Sequence, residues 1–327
     1  MQELNYLEAI NEAIKEEMER DSHVFIMGTD LSFAISGVGS LSWRIGRGFR
    51  DIFGEERVRD TPMSENAFLG AAVGAAMVGM RPIVEMNNAS FLWMAMDQLV
   101  NQAAKNHYLF GGQAKVPLVM RTYMIIQGHV AAHHTDRPYP SVMNVPGLKI
   151  VCPTTPYNAK GLWKTAIRDD NPVCIFEDIR SFSQKESIPD EEYLIPFGEP
   201  EIVRKGSDVT LVAVYTRREA QQAATELEQD SIDIEIIDPL TLVPLGLDTI
   251  LQSVKKTGRL VIADVANDTC SSASHIAALV ADNGFRYLKS PIKRVCTPNV
   301  HIPFAPNLEK LVHPTVANII SAVKDTI

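Results

Sequence analysis

The sequence predicts an α/β protein of two doubly wound domains, each a mostly parallel sheet covered by helices. Three observations point there. Short, nearly continuous apolar runs alternate with helix-spaced segments along most of the chain, the pattern of strands buried on both faces. The 327 residues exceed one ordinary domain, at roughly 100–200 residues each. The alternation fails once, between Ile179 and Ser207, where Pro189, Pro196 and Pro200 stand among charges. The expected division is therefore 1–180 and 208–327, joined by a linker at 181–207.

Leu7, Ile10, Ile14 and Met18 recur at helical spacing and predict a first helix near 5–20. VFIM (24–27) reads as a buried strand ending at Gly28, followed by a Gly-, Ser- and Arg-containing loop over 31–50. RVRD (57–60) is a strand, and Ser64 is the expected N-cap of a helix over 65–80. PIVEM (82–86) is a strand, and one long helix is expected from Ser90 to Tyr108. Strands follow at 117–123, 148–153 and 173–178, with a helix after Thr154-Thr155 that Asn171-Pro172 ends. A short edge strand is expected at 201–203. The second block repeats strand and helix from Asp208 and closes on a helix near 307–326.

Composition narrows the function. Forty acidic against 31 basic residues give a net charge of −9, without the basic footprint of a nucleic-acid binder. The longest apolar run, Ala67–Met80, is shorter than the ~20 residues a membrane span needs. Its Gly70 and Gly74 suit close approach by another backbone, in the core or at an interface. The N-terminus is acidic and amphipathic, unlike a signal or transit peptide, and the four scattered cysteines suit a reducing compartment. A cytoplasmic protein is expected. No G-x-G-x-x-G follows a strand, and G-K-[ST], H-E-x-x-H and G-x-S-x-G are missing, as is any "GD".

Ligands of doubly wound folds sit at the carboxyl ends of strands. Those ends carry Gly28-Thr29-Asp30, Asp60–Glu65, Asn87-Asn88 and the loop 121–137. On spacing alone, Glu65 reads as a first-turn acid favoured by the helix dipole. The other reading is a carboxylate held at the mouth of the sheet for acid–base work. His129, His133 and His134 lie in a loop with Gly128 and Pro138. A loop that touches substrate fits them better than a metal site, which needs further ligands and a rigid frame.

TPMSENAFLGAAVGAAMVGMRPIVE, AMDQLVNQAAK, GGQAKVPLVMR and PGLKIVCPTTPYNAKGLWKTAIRDDNPV stand in one order, followed by GSDVTLV and IDPLTLVPL. Together they resemble the β subunit of thiamine-diphosphate-dependent 2-oxo acid dehydrogenases, the decarboxylating component of pyruvate, branched-chain and acetoin dehydrogenase complexes. The resemblance spans nearly the whole chain. It implies a transketolase-like pyrimidine-binding domain and a transketolase C-terminal-like domain. It also implies an α2β2 enzyme whose thiamine diphosphate is shared with an α subunit that holds magnesium. The missing "GD" fits that division.

The resemblance assigns Glu65 to the pyrimidine ring nitrogen of the cofactor, where a protonated carboxyl promotes removal of the thiazolium proton. It assigns His134 to substrate and acyl acceptor, His129 and His133 to the substrate loop, and Asn88 to the cofactor side. Ala166, Ile167, Asp169 and Asn171 match the family's monovalent-cation site, which implies potassium. The implied reaction decarboxylates a 2-oxo acid, or cleaves an acyloin, and passes the acyl group to a lipoyl carrier on an acyltransferase core. A split transketolase and a silent scaffold for an α subunit are the alternatives. The family's G-E-D becomes Gly28-Thr29-Asp30, and its aromatic after the Glu85 strand gives way to Asn87, Asn88 and Ala89. These asparagines suggest a more polar acyl donor, and Phe at position 88 is expected to favour pyruvate.

Overall fold

The computed structural model describes residues 1–29, 31, 45, 46 and 48–327. Asp30 and most of the loop 31–50 lie outside the described residues. The chain divides into two compact units, one of residues 1–126 and 134–197, the other of 127–133 and 198–327.

In the first unit, β1 (Gln2–Asn5) leads into α1 (Tyr6–Arg20). Asn5 and Glu8 close a capping box there: Glu8 N–H donates to Asn5 Oδ1 at 2.9 Å, and Asn5 N–H to Glu8 Oε2 at 2.8 Å. Then follow β2 (Val24–Gly28), α2 (Phe49–Phe53), β3 (Val58–Asp60), α3 (Glu65–Met77) and β4 (Arg81–Asn88). After a wound segment ending in α4 (Ala104–Leu109) come β5 (Val119–Met124), α5 (Tyr139–Met143) and β6 (Lys149–Val151). Finally α6 (Pro156–Arg168), β7 (Val173–Asp178) and β8 (Lys185–Ile188) complete the unit.

Six of its strands form a parallel sheet in the order β6-β7-β5-β4-β2-β3. All their carboxyl ends therefore lie along one edge. The tightness of this sheet shows at Gly28, where a Cβ would collide with the carbonyl of Glu85 on β4. Helices α1 and α6 pack together through paired charges, with Lys164 Nζ 2.6 Å from Glu16 and Arg168 Nη2 2.6 Å from Glu17.

Three expectations change here. The helix expected over 90–108 is a 3₁₀ segment (Ala89–Ala95), a π segment (Gln98–Ala103) and then α4. Its start is fixed by Asn88 rather than by regular winding, and such irregular turns gather at functional sites. Ser64 precedes α3 but gives it no side-chain cap; its hydroxyl donates to the Pro62 carbonyl at 3.1 Å instead. The expected linker is ordered and divided. Residues 185–188 pair antiparallel with β1, so the compact first unit runs to Phe197.

In the second unit, β9 (Glu201–Arg204), β10 (Val209–Val214), α7 (Arg217–Leu227), β11 (Ile234–Asp238) and β12 (Thr241–Val243) are followed by α8 (Leu247–Thr257). Then come β13 (Leu260–Asn267), α9 (Ser272–Gly284), β14 (Lys293–Thr297), α10 (Pro306–Glu309) and α11 (Val316–Lys324). A five-stranded sheet runs β14-β13-β10-β11-β9. It is parallel except for the edge strand β9, the one anticipated near 201–203. Its core is Val209, Leu211, Ile234, Ile236 and Val261 under Ala220, Leu227, Ile319 and Val323. The expected closing helix is two helices. Pro314 cannot donate to the ladder, and Thr315 restarts the helix by accepting from Asn318 N–H at 3.1 Å. Among the described residues no helix is long and apolar enough to cross a membrane.

Candidate active site

The parallel order puts the ends of β2, β3, β4 and β5 side by side, and with them Gly28, Glu65, Asn88 and the loop after β5. Glu65 is the first residue of α3, reached from β3 through Thr61 and Pro62. It is half-buried, and its carboxylate receives no hydrogen bond or ion pair among the described residues. Gly70 of the same helix packs within the chain, since a Cβ there would meet Gln98, whereas Gly74 faces open space.

Behind these ends lies a charge cluster that single motifs do not reveal. Arg121 on β5 is fully shielded from solvent, as are Glu85 on β4 and Glu177 on β7. Its Nη1 donates to Glu85 Oε2 at 2.7 Å and its Nε to Glu177 Oε2 at 2.7 Å. Trp163 Nε1 donates to the other Glu177 oxygen at 2.9 Å, and the guanidinium lies 5.0 Å from the Tyr123 ring centre. Burial pushes the Glu85 carboxyl above the usual range, against the pull of Arg121. Arg121 itself is held charged: its two carboxylate partners outweigh burial. The signal was present in the sequence. Charged residues in VEM, VMRTY and IFED interrupt otherwise apolar strands, and buried charges require partners.

The cluster holds the end of β4. Glu85 Oε1 accepts from Asn87 N–H at 2.8 Å, and Thr122 Oγ1 donates to the Asn87 carbonyl at 2.8 Å. Asn88 is buried and fully engaged: its Nδ2 donates to the His134 carbonyl at 2.8 Å and its Oδ1 accepts from Ser90 N–H at 2.8 Å. The Asn88 side chain is thus engaged within the chain, and of the Asn87 side chain the oxygen accepts from the Tyr123 hydroxyl. Phe at position 88 would overpack a buried site.

The three loop histidines separate. His134 is exposed, its ring edge-on to Phe91 with centroids 5.6 Å apart. His133 is exposed and falls, like His129, in the second unit. His129 belongs to the second unit, where its Nδ1 lies 2.6 Å from the buried Glu309 carboxylate. Glu309 was not singled out by any sequence signal. Among the described residues no three His, Cys, Asp or Glu side chains form a metal cluster.

At the end of α6, Arg81 Nη1 donates to the carbonyls of Ile167 at 2.9 Å and Asp169 at 3.0 Å. Asp169 Oδ1 accepts from Asn171 Nδ2 at 2.9 Å. A carbonyl oxygen has two lone pairs, so the guanidinium leaves one acceptor position on each. The Arg81 guanidinium thus occupies one acceptor position on two of the four expected cation ligands, Ile167 and Asp169.

The comparisons agree with this architecture. Residues 2–182 match the transketolase pyrimidine-binding domain and residues 198–319 the transketolase C-terminal domain. The chain is 43% identical over 323 residues to the acetoin:2,6-dichlorophenolindophenol oxidoreductase subunit beta of Bacillus subtilis (strain 168), covering 96% of this chain and 94% of that one. It is 43% identical over 318 residues to the pyruvate dehydrogenase E1 component subunit beta of Rickettsia felis, covering 97% and 96%. A solved split-gene transketolase, described as an inactive beta4 tetramer, superposes with a TM-score of 0.78 at 20% identity, covering 98% and 96% of the two chains. Two transketolase domains and 43% identity over nearly the full length place this chain in the family of thiamine-diphosphate-dependent pyruvate and acetoin dehydrogenase E1 β subunits.

Proposed function

We propose that this chain is the β half of an α2β2 enzyme that decarboxylates a 2-oxo acid or cleaves an acyloin and transfers the acyl group to a lipoyl carrier. The observation that carries the reading is Glu65, a carboxylate without a partner among the described residues, at the mouth of the first sheet in a chain with near full-length E1 β relatives. A split transketolase is supported by fold likeness alone, at 20% identity. A silent scaffold has no use for such a carboxylate.

Thiamine diphosphate, when bound, supplies the electron sink for breaking the bond beside the carbonyl. Glu65 holds a proton toward the pyrimidine ring nitrogen. His134, on the loop after β5, holds or accepts a proton at the carbonyl oxygen of the acyl donor, with His133 and His129 in the same loop. Asn88 lines the cofactor side through its backbone, its side chain being engaged elsewhere. Magnesium and the diphosphate sit mainly on the α subunit, since this chain has no "GD" segment. Potassium is held at the α6 end by Ala166, Ile167, Asp169 and Asn171. The assembly works in the cytoplasm.

Co-expression with the α subunit tests the reading. The pair is expected to turn over acetoin or pyruvate with an artificial electron acceptor, and the β chain alone to be inactive. Glu65→Gln should abolish turnover while the assembly persists. Turnover by the β chain alone, or ketol transfer between sugars without acyl transfer, would contradict it.

A further inference from the structure

We infer that Asn88 is a positioning residue for the loop histidine: its side-chain amide fixes the backbone of His134 to the carboxyl end of β4. The inference rests on the reading of His134 as a site residue and adds how that residue is held.

Asn88 closes β4 and is 3% exposed. One amide joins two segments 46 residues apart, donating to the His134 carbonyl at 2.8 Å while accepting from Ser90 N–H. Its place is fixed from behind. Asn87 has φ 67°, a left-handed conformation that costs a non-glycine residue energy. Three bonds hold it: its N–H to Glu85, its carbonyl from Thr122, and its side-chain oxygen from the Tyr123 hydroxyl. Glu85 is in turn held by Arg121, and Arg121 by Glu177. The elbow at Asn87-Asn88 is thereby referenced to three neighbouring strands, and the register of β4 against β5 shifts there, between Glu85 and Asn88. Backbone strain that its surroundings over-determine in this way gathers at functional sites.

The same stretch grips the loop at further points. Phe91 meets the His134 ring edge-on, Ser90 Oγ accepts from Asp136 N–H at 3.3 Å, and Trp93 Nε1 donates to Asp136 at 3.2 Å. A three-residue 3₁₀ turn, Ala132–His134, is too short to fix the loop by its own hydrogen bonds. Asn88 supplies the one side-chain bond to the backbone of His134 itself among the bonds described. A misplacement of about 1 Å can cost on the order of 100-fold in rate, so this bond should be read in turnover.

The test uses the enzyme assembled with its α subunit. Asn88→Asp is isosteric and keeps the cap on Ser90, because Asp caps as well as Asn. It turns a carboxylate oxygen, not a donor, toward the His134 carbonyl. Asn88→Ser keeps a capping oxygen but is too short to reach the loop, and carries the same comparison should the Asp variant not assemble. Each is expected to lower kcat about tenfold or more. In a His134→Ala background the same change should lower kcat less than about twofold, because the two residues act through one another. Wild-type kcat in both variants, or an equal fold-loss in both backgrounds, would overturn the inference. A fully active His134→Ala enzyme would remove the reading of His134 and the inference with it. An impaired His134→Ala beside unaffected Asn88 variants would overturn the inference alone.

Discussion

Arg121 lies between Glu85 and Glu177, 2.7 Å from the first and 2.6 Å from the second, with all three side chains withdrawn from solvent. One guanidinium thus answers two carboxylates contributed by the strands on either side of its own. Removing it leaves two buried acids side by side, and breaking a buried pair typically costs about 3–5 kcal/mol. Arg121→Gln should lower the unfolding free energy obtained from urea titration by that order, and the midpoint with it. An unchanged midpoint would mean that the cluster is not held as charges.

The pH dependence of stability has a definite sign at Glu85. Burial raises its carboxyl above the usual range in the folded chain. Between its ordinary value and that raised value, the folded state binds a proton that the unfolded state does not. The stability contributed by Glu85 is therefore complete below the ordinary value and lost as pH rises through the folded one. Glu85→Gln removes this loss, so stability measured by urea titration should fall less, or rise more, with pH across the weakly acidic range. A slope identical to wild type would contradict the assignment.

Glu309 carries a second prediction about the loop. It accepts from His129 N–H at 3.1 Å as well as from the ring, and Gln127, His129 and Ala131 all have positive φ. Such a loop needs external bonds to keep its shape. Glu309→Ala should speed amide exchange at His129 by about tenfold, the equivalent of about one lost hydrogen bond. Unchanged protection would show that the loop is held by other means.

At the end of α6 two of the proposed cation ligands, the carbonyls of Ile167 and Asp169, accept from Arg81. Potassium at tenfold its dissociation constant would stabilise the folded assembly by about 1.4 kcal/mol. The thermal midpoint should accordingly be higher in potassium chloride than in choline chloride of equal ionic strength. Equal midpoints would remove the cation from this helix end.

Much of the fold could be read from apolar periodicity, because strands buried on both faces tolerate little else. VFIM, VCIFED and LVAV became strands for that reason. Periodicity failed where one side chain overrode the backbone's regular winding, as Asn88 does at the start of 89–109 and Pro314 near the C-terminus. At the site, spacing alone leaves Glu65 a first-turn acid of the helix, and only the resemblance over many segments assigns it to the cofactor. His129 was grouped with His133 and His134 by spacing alone, and a contact with a residue 180 positions away separates them. The Arg121 cluster needed strand order to be seen, since its members come from three strands that are neighbours only in the folded sheet.

In the proposed enzyme Glu65 controls the proton chemistry of the shared cofactor. The most direct measurement is deuterium exchange at the thiazolium C2 position of thiamine diphosphate bound to the assembled enzyme. Glu65→Gln should slow that exchange by about 100-fold or more, in line with general acid–base contributions, while the α2β2 assembly stays intact. Exchange at the wild-type rate in that variant would contradict the account.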